Sequence, residues 1–431
     1  MGSQSSVSRL LKRRLLGMHY DVVVIGAGPA GLSFARSLGN SDLRVLVVEK
    51  ATEASLREPA EDGREIALTH QSVELMQQSG AWGQLREEDI APICAARVVD
   101  GDSDYSLDFD NQRQDLEALG YLVPNHAIRQ AYFEATFGTD QQHSITLMTE
   151  TSVTDVGSCD EHAWVVLSDG SRVQCDLLVS ADSRFSETRR KMGIAAMMND
   201  FSRSAIVCRM DHTGDHEQTA IECFHYGRTL ALLPMAGNRS SIVVTVGSDE
   251  AEAIQKMPEA EFEADIEQRL KGQLGSMKLC GPRHLYPLVG VHAKRFVARR
   301  FAVIGDAAVG MHPVTAHGFN LGLKSQETLS KAVLKAAAKS QDIGSSGLLE
   351  GYQRSHMLAT RPIYHGTNLV VGLFTDDRLP AKLARKLTMR LANNCAPLKQ
   401  LITAKLTEKG LPSLRERLPD LPAAPAWLPR F

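Results

Sequence analysis

A chain of 431 residues with a 43% hydrophobic share is long enough to bury the cores of two or three domains. Its formal net charge of -3 offers no field of one sign, which argues against nucleic acid as a partner. Seven scattered cysteines, never in C-x-x-C spacing, suggest neither a disulfide framework nor a metal site and fit a reducing cytoplasmic compartment.

Residues 1 to 17, "MGSQSSVSRLLKRRLLG", are rich in Ser and Arg and lack acids, as transit segments do, and "MGSQSS" fits the loose myristoylation pattern. Met18 directly precedes the first strand, so the simpler expectation is an upstream start that adds nothing to the fold. No apolar run approaches the roughly 20 residues that cross a bilayer.

"HYDVVVIGAGPAGLSFARSLGNSDLRVLVVEK" predicts strand, tight turn, helix and second strand, with Val22 to Ile25 suited to a parallel strand buried on both faces. Gly26 and Gly28 let the chain turn and a pyrophosphate approach the helix N-terminus, and Gly31 lets helix and strand pack closely. Ala30 sits in the same turn. Glu49, followed by Lys50, closes the second strand about 20 residues on, where an acid accepts hydrogen bonds from ribose hydroxyls. An acid there disfavours a 2'-phosphate, leaving FAD or NAD as the tenant.

Farther along, "VQCDLLVSADSRFSETRRKMG" predicts a strand over Leu177 to Ser180 that ends at Asp182, with Ser186, Arg189 and Arg190 opening a helix. "TLALLPM" and "SIVVTVG" flank the turn "AGNRS" as a hairpin, and the acid-rich stretch after it reads as a solvated helical face with a Pro break. "RRFAVIGDAAVGMHPVTAHGFNLGLK" then runs a third strand, Phe301 to Ile304, into Gly305 and Asp306. A loop over Pro313 to Gly318 follows, and a helix begins near Gly318 with Phe319, Leu323, Leu329, Val333 and Ala337 on one face. Three strand ends bearing small or acidic residues suggest one extended ligand along the carboxyl edge of one sheet.

Taken together, "GAGPAG", "DLLVSADSRFS" and "GDAAVGMHPVTAHGFNLGL" resemble the three flavin fingerprints of the group A FAD-dependent aromatic monooxygenases. More narrowly they resemble the ubiquinone-biosynthesis hydroxylases of the UbiH/UbiF type, with "HPVTAHGFNLGL" most similar to the UbiM branch. Supporting matches are "DGREIALTHQSVELMQQSGAW", "LGYLVPNHAIRQA", "LALLPM", "LLEGYQRSHMLATRPI" and "NNCAPLKQLITAKLTEKG", in family order over about residues 18 to 410.

The resemblance implies a fold: an α/β, Rossmann-like FAD-binding domain of the glutathione-reductase variant, with an inserted, mostly antiparallel substrate sheet and a C-terminal helical segment. The flavin domain would comprise 18–92, 121–194 and 295–345, the substrate domain 93–120 and 195–294, and the helical region and Pro-rich tail 346–431. It also implies roles. Asp306 would bond the ribityl hydroxyls and Glu49 the adenosine ribose; Arg64 and Arg129 would lie near the flavin or its phosphates; Val153 would offer its backbone to adenine. Asp182, with Arg184, would serve both FAD and the nicotinamide donor. Backbone amides of Gly318, Phe319 and Asn320, at a helix start with its positive dipole end, would face the anionic N1 and C2 carbonyl of reduced flavin. His317 and Pro313 are the candidates for groups beside the flavin and substrate.

Two positions depart from the family pattern. Ser183 replaces the usual Gly, which puts the nicotinamide contact in doubt, and Val309 stands where a His often does, although His312 and His317 remain nearby. The implied chemistry consumes NAD(P)H and O2 to hydroxylate a polyprenylated phenol or quinol. A membrane surface, a Ubi-type biosynthetic assembly or a homo-oligomer would be the macromolecular partners, with the protein cytoplasmic or peripheral on the inner membrane. Rival readings are a flavin-dependent prenyl-chain reductase, a halogenase, or a flavoprotein that serves as an assembly or lipid-binding subunit. Trp82, Trp164 and Trp427 do not form the halogenase WxWxIP pattern. The residues do not identify a catalytic base; His225, Tyr226 and Asn238 lie in the substrate half without distinguishing features.

Overall fold

The computed structural model describes residues 19–101, 105–111, 116–138, 144–225, 227–376 and 378–395, together with 399, 402–404, 407 and 408. The expectations for residues 1–17, for Tyr226 and for the Pro-rich tail lie outside them.

Two large sheets carry the molecule. In the first, Val297–Ala298, Phe301–Val303, Arg172–Ser180, His19–Ile25, Val45–Val48 and Ile145–Met148 lie in that spatial order, and the last five are mutually parallel. Val22 to Val24, Val45 to Val47, Leu177 to Val179 and Phe301 to Val303 are wholly buried. Such strands read as unbroken apolar runs because helices cover both faces. The helices Pro29–Leu38, Asn125–Phe137 and His317–Ala337 supply buried residues to that same core.

In the second sheet, Val309–Gly310, Met277–Ala293, Ala196–His212, Arg239–Gly247, Arg228–Pro234, Thr219–His225, Ala95–Asp100 and Ser106–Asp110 lie in order. All neighbours are antiparallel except Thr219–His225 beside Ala95–Asp100. The expected hairpin is present, with Pro234 opposite Ser240. Helices Ser248–Gln255 and Glu259–Arg269, separated at Pro258, lay Ala251, Ile254, Phe262 and Ile266 on one face of this sheet.

The other face turns toward the segment 61–68. There Arg209 bonds Glu65 and Glu61, each at 2.9 Å, and the Tyr286 hydroxyl donates to the Asp62 carbonyl at 2.6 Å. Strand Ala91–Ile93 joins Glu65–Leu68 and Gly120–Pro124 in a small third sheet, so the boundary expected at 92/93 falls within a strand. Helices Ser346–Thr375 and Leu379–Asn394 occupy the C-terminal region. The buried Arg385 pairs with the buried Asp100 at 3.3 Å, which ties them to the edge of the second sheet.

Candidate cofactor and substrate site

The three sequence signatures meet because their strands are neighbours. Ile25, Ser180 and Val303 are in register across adjacent parallel strands, so the turns that follow leave one sheet edge side by side. Contact between the turns is close enough to demand small residues. A Cβ on Gly26, whose φ is +105°, would come 2.6 Å from the Ala181 carbonyl oxygen, and one on Gly31 would lie 2.0 Å from the Gly26 oxygen. At Gly305, φ +59°, a Cβ would meet the Ala30 Cβ at 2.8 Å. Such glycines are required by packing and by left-handed backbone.

Gly28 and Gly318 differ. Their Cβ atoms would meet no protein atom within 4 Å. Each stands at the start of a helix whose first turn has no side-chain cap, Pro29–Leu38 and His317–Ala337. Two sets of unpartnered backbone N–H groups therefore face open space, where the amides and dipole favour anions by about 0.3–1 kcal/mol each, rising to roughly 2 when partly buried. A dinucleotide with a pyrophosphate and a ring that becomes anionic on reduction matches this pair of cradles.

The acid and base residues fall around the same edge. Glu49 accepts from the Ala27 N–H at 2.8 Å and the Ala51 N–H at 3.0 Å, which fixes its carboxylate beside the glycine turn. The Thr151 N–H bonds the Glu49 carbonyl, which brings the start of strand Val153–Ser158 to that end of the site; Lys50 is exposed beside it. Asp182 accepts from the Ser180 hydroxyl at 2.6 Å. Asp306, half-exposed in the turn Gly305–Ala307, receives Arg184 at 3.3 Å. Arg64 is held by Asp62 at 2.6 Å and lies over the Tyr286 ring. Burial works against its charge, but the Asp62 bond and the Asp62, Tyr286 and Asp306 charges together leave its pKa raised. Arg129, half-buried on helix Asn125–Phe137, has no hydrogen-bond or ion-pair partner among the described residues.

The bare stretch after Asp306 differs in part from the expected loop. Pro313–Thr315 forms a 3-10 turn, Ala316 adopts φ +53°, and the helix begins at His317, one residue early. The expected face packs on the core: Leu323, Leu329 and Val333 are buried in it, Phe319 and Ala337 lie half-buried against it, and Leu321 and Ala336 join them. Pro313 is exposed; His317 is buried, with Nδ1 lacking a partner. The His312 Nδ1 accepts from the Val314 N–H, and burial, aided by the Arg203 charge, pushes its pKa down to about 4, so the ring is neutral.

Both departures have simple accommodations. Ser183 is absent from the left-handed positions of the chain, so its turn does not require glycine. Val309 is buried in a short strand opposite His292.

Several side chains have supporting roles that the sequence does not disclose. Arg189, 2% exposed, donates to the Ala307 carbonyl at 2.7 Å and the Arg184 carbonyl at 3.1 Å, bracing the second turn against the third. The Asn320 side chain donates to Ala67 and Ala316 carbonyls and accepts from the Thr69 N–H, locking the helix start to strand Glu65–Leu68. On the substrate side, Asn238 is exposed in its turn and His225 closes its strand opposite Arg228. Glu222, on the same strand as His225, has its pKa pushed up to about 8 by burial.

Comparison with known proteins agrees with this arrangement. Residues 19–362 match the family model described as FAD binding domain. The chain is 48% identical to the ubiquinone hydroxylase UbiM of Neisseria meningitidis over 93% of this chain and 87% of that protein. It is 33% identical to the ubiquinone hydroxylase UbiL of Rhodospirillum rubrum over 88% of each. In three dimensions it is similar to p-nitrophenol 4-monooxygenase PnpA from Pseudomonas putida, with a TM-score of 0.71, 18% identity, and coverage of 91% of this chain and 100% of that one, a likeness of fold. The chain belongs to the FAD-binding monooxygenase family and, within it, to the ubiquinone hydroxylases.

Proposed function

We propose that this flavoprotein hydroxylates the aromatic ring of a polyprenylated phenol or quinol precursor of ubiquinone, with NAD(P)H and O2 as co-substrates. The observation that carries the reading is the meeting of three strand-end turns beside two uncapped helix starts at Gly28 and Gly318. The similarity to two ubiquinone hydroxylases supplies the substrate class. Bound FAD supplies two-electron chemistry with the nicotinamide and the activation of dioxygen for transfer of one oxygen atom.

The chain's own residues bind and orient. Gly26, Gly28, Ala30 and Gly31 form the pyrophosphate turn, with Arg129 as its counter-charge. Glu49 takes the adenosine ribose and Val153 the adenine edge. Asp306 holds the ribityl chain, while Arg64 and Asp182, the latter beside Arg184, flank the flavin and nicotinamide. The amides of Gly318, Phe319 and Asn320 stabilise negative charge on the ring without reorganising. Pro313 and His317 border the reacting face, and the second sheet shields it from water.

In this reading 18–92, 121–194 and 295–345 make the flavin domain, 93–120 and 195–294 the substrate domain, and 346–431 a helical appendage. A peripheral position at the cytoplasmic side of the membrane suits a prenylated substrate. Exposed Leu358, Leu369, Leu379, Leu387 and Leu391 on the C-terminal helices, interspersed with Arg361, Arg378 and Arg390, support it, and among the described residues no helix is long and apolar enough to cross.

The test is oxygen uptake by the purified flavoprotein with NADH or NADPH, with and without a prenylphenol, under labelled dioxygen. The expected product gains one labelled oxygen atom on the ring. Saturation of the chain, halide incorporation, or uptake indifferent to the phenol refutes the proposal.

A further inference from the structure

Strand Thr219–His225 sorts its side chains onto two faces. Ile221 and Cys223 pack into the cluster under helices Ser248–Gln255 and Glu259–Arg269. Ala220 and Phe224 point the other way. Ala220 meets Ala67, Leu122, Leu233 and Met235, and Phe224 shares a cluster with Phe109, Phe374 and Val314 of the turn Pro313–Thr315. Glu222 stands between them and shares their face. Its carboxyl projects toward the side of the sheet that meets the flavin-side loop, in line with Ala231 on one neighbour and Val98 on the other.

The residue is half-buried and has no hydrogen-bond or ion-pair partner among the described residues. Charged and titratable groups from the surrounding elements are engaged elsewhere. Asp100 pairs with Arg385, Lys399 donates to the Asn393 side chain, and the His312 Nδ1 accepts from Val314. On the loop side stand also His317 at the helix start, Tyr105 of the Phe224 cluster, which accepts from Asn393, and Arg203, which donates to the Gly227 carbonyl; Lys271 acts on the opposite face through Cys223. None of them is bonded to Glu222. A half-buried acid among apolar neighbours, with no protein partner among the described residues, can accept a hydrogen bond from a ligand hydroxyl. We infer that Glu222 is the acceptor for the ring hydroxyl of the phenolic substrate.

This rests on the hydroxylase reading above and assigns the base that reading lacks. The phenol O–H bond breaks as its proton passes to a Glu222 carboxylate oxygen, forming a carboxyl O–H. The electron pair left on the phenolate enriches the ring, with no change of oxidation state in this step. After oxygen transfer the proton returns to the product oxygen or to water. Because burial raises the carboxyl, the accepting form grows as pH rises through about 8.

The experiment compares wild type, Glu222→Gln and Glu222→Asp holoenzymes on ring-substituted short-chain prenylphenols of graded acidity. Glu222→Gln is expected to fold and keep its flavin. Its rate of hydroxylation should fall about 100-fold or more, and the rising limb near pH 8 should disappear. The defect should shrink for more acidic phenols, which need less help to ionise, and Glu222→Asp should recover part of the rate together with the pH limb. Hydroxylation by Glu222→Gln at the wild-type rate and pH profile overturns the assignment, as does a loss equal for every phenol. If Glu222→Gln does not fold, a Glu222→Asp enzyme that hydroxylates every phenol of the series at the full wild-type rate overturns it equally. Absence of prenylphenol turnover by wild type removes the hydroxylase reading and this assignment with it; turnover by wild type with an indifferent Glu222→Gln removes the assignment alone.

Discussion

Gly28→Ser separates a glycine kept for the cofactor from one kept for the fold. Gly28 has φ -72°, open to any residue, and a Cβ there touches nothing in the protein. Serine is a favoured N-cap, and its hydroxyl would accept an N–H from the first turn of Pro29–Leu38, so the flavin-free protein should gain a few tenths of a kcal/mol. That same N–H is one the pyrophosphate needs. Losing one charge-assisted hydrogen bond costs about 1.5–3 kcal/mol, so the Kd for FAD should rise about 10- to 100-fold. Gly31→Ala is the control: its Cβ would lie 2.0 Å from the Gly26 carbonyl oxygen, so the fold itself must give way. The assay is flavin fluorescence titration of deflavinated protein, paired with urea unfolding of the same samples. Wild-type FAD affinity in a stably folded Gly28→Ser protein would refute the placement of the pyrophosphate at this helix start.

Three further outcomes are expected. Ala316→Gly should raise the urea midpoint by about 0.5–1 kcal/mol in stability, since relief of a left-handed alanine, about 1–2 kcal/mol, exceeds the entropic penalty of glycine; Ala316 has φ +53°. A lowered midpoint would count against strain there. His312 has a folded pKa near 4, below its ordinary 6.5, so the unfolded chain binds the proton first and stability falls as pH drops through that window. From pH 8 to pH 5 the loss from this group is about 2 kcal/mol, and urea titrations of His312→Asn at the two pH values should show that much less acid sensitivity than wild type. Arg189→Met removes a buried guanidinium that braces the Ala307 and Arg184 carbonyls. Stability should drop by about 2–3 kcal/mol and FAD should bind more weakly, because the turn bearing Asp306 loses its support. Unchanged flavin affinity would confine Arg189 to folding alone.

What the sequence discloses here follows from how each residue is constrained. Gly26 and Gly305 occupy positive φ, and Gly31 lies against a carbonyl oxygen, so no other residue type serves and the positions are legible as letters. The parallel strands are legible because burial on both faces leaves unbroken runs such as Val22 to Ile25. The sequence points to Asn320 for its backbone amide, yet its side chain bonds Ala316 nearby and reaches Ala67 and Thr69, two contacts that depend on a segment some 250 positions away in sequence. Ser183 departs from the family pattern, but its backbone makes no demand for glycine, so the letter signals strain that the turn does not contain.

Glu222 is a residue that the sequence does not single out. In "TAIECFH" an acid between apolar residues reads as one solvent-facing tooth of a half-exposed strand, the commonest meaning of such alternation. That inference presumes that one face meets water. Here helices cover the face of Ile221 and Cys223, and the flavin-side loop and C-terminal helices cover that of Ala220 and Phe224. Layers packed on both faces of the strand turn an unremarkable polar letter into a half-buried carboxyl with no partner among the described residues, and only the layer order reveals it. In this fold, then, the sequence marks where a backbone must bend for the cofactor, whereas the group that meets the substrate emerges from which face each layer covers.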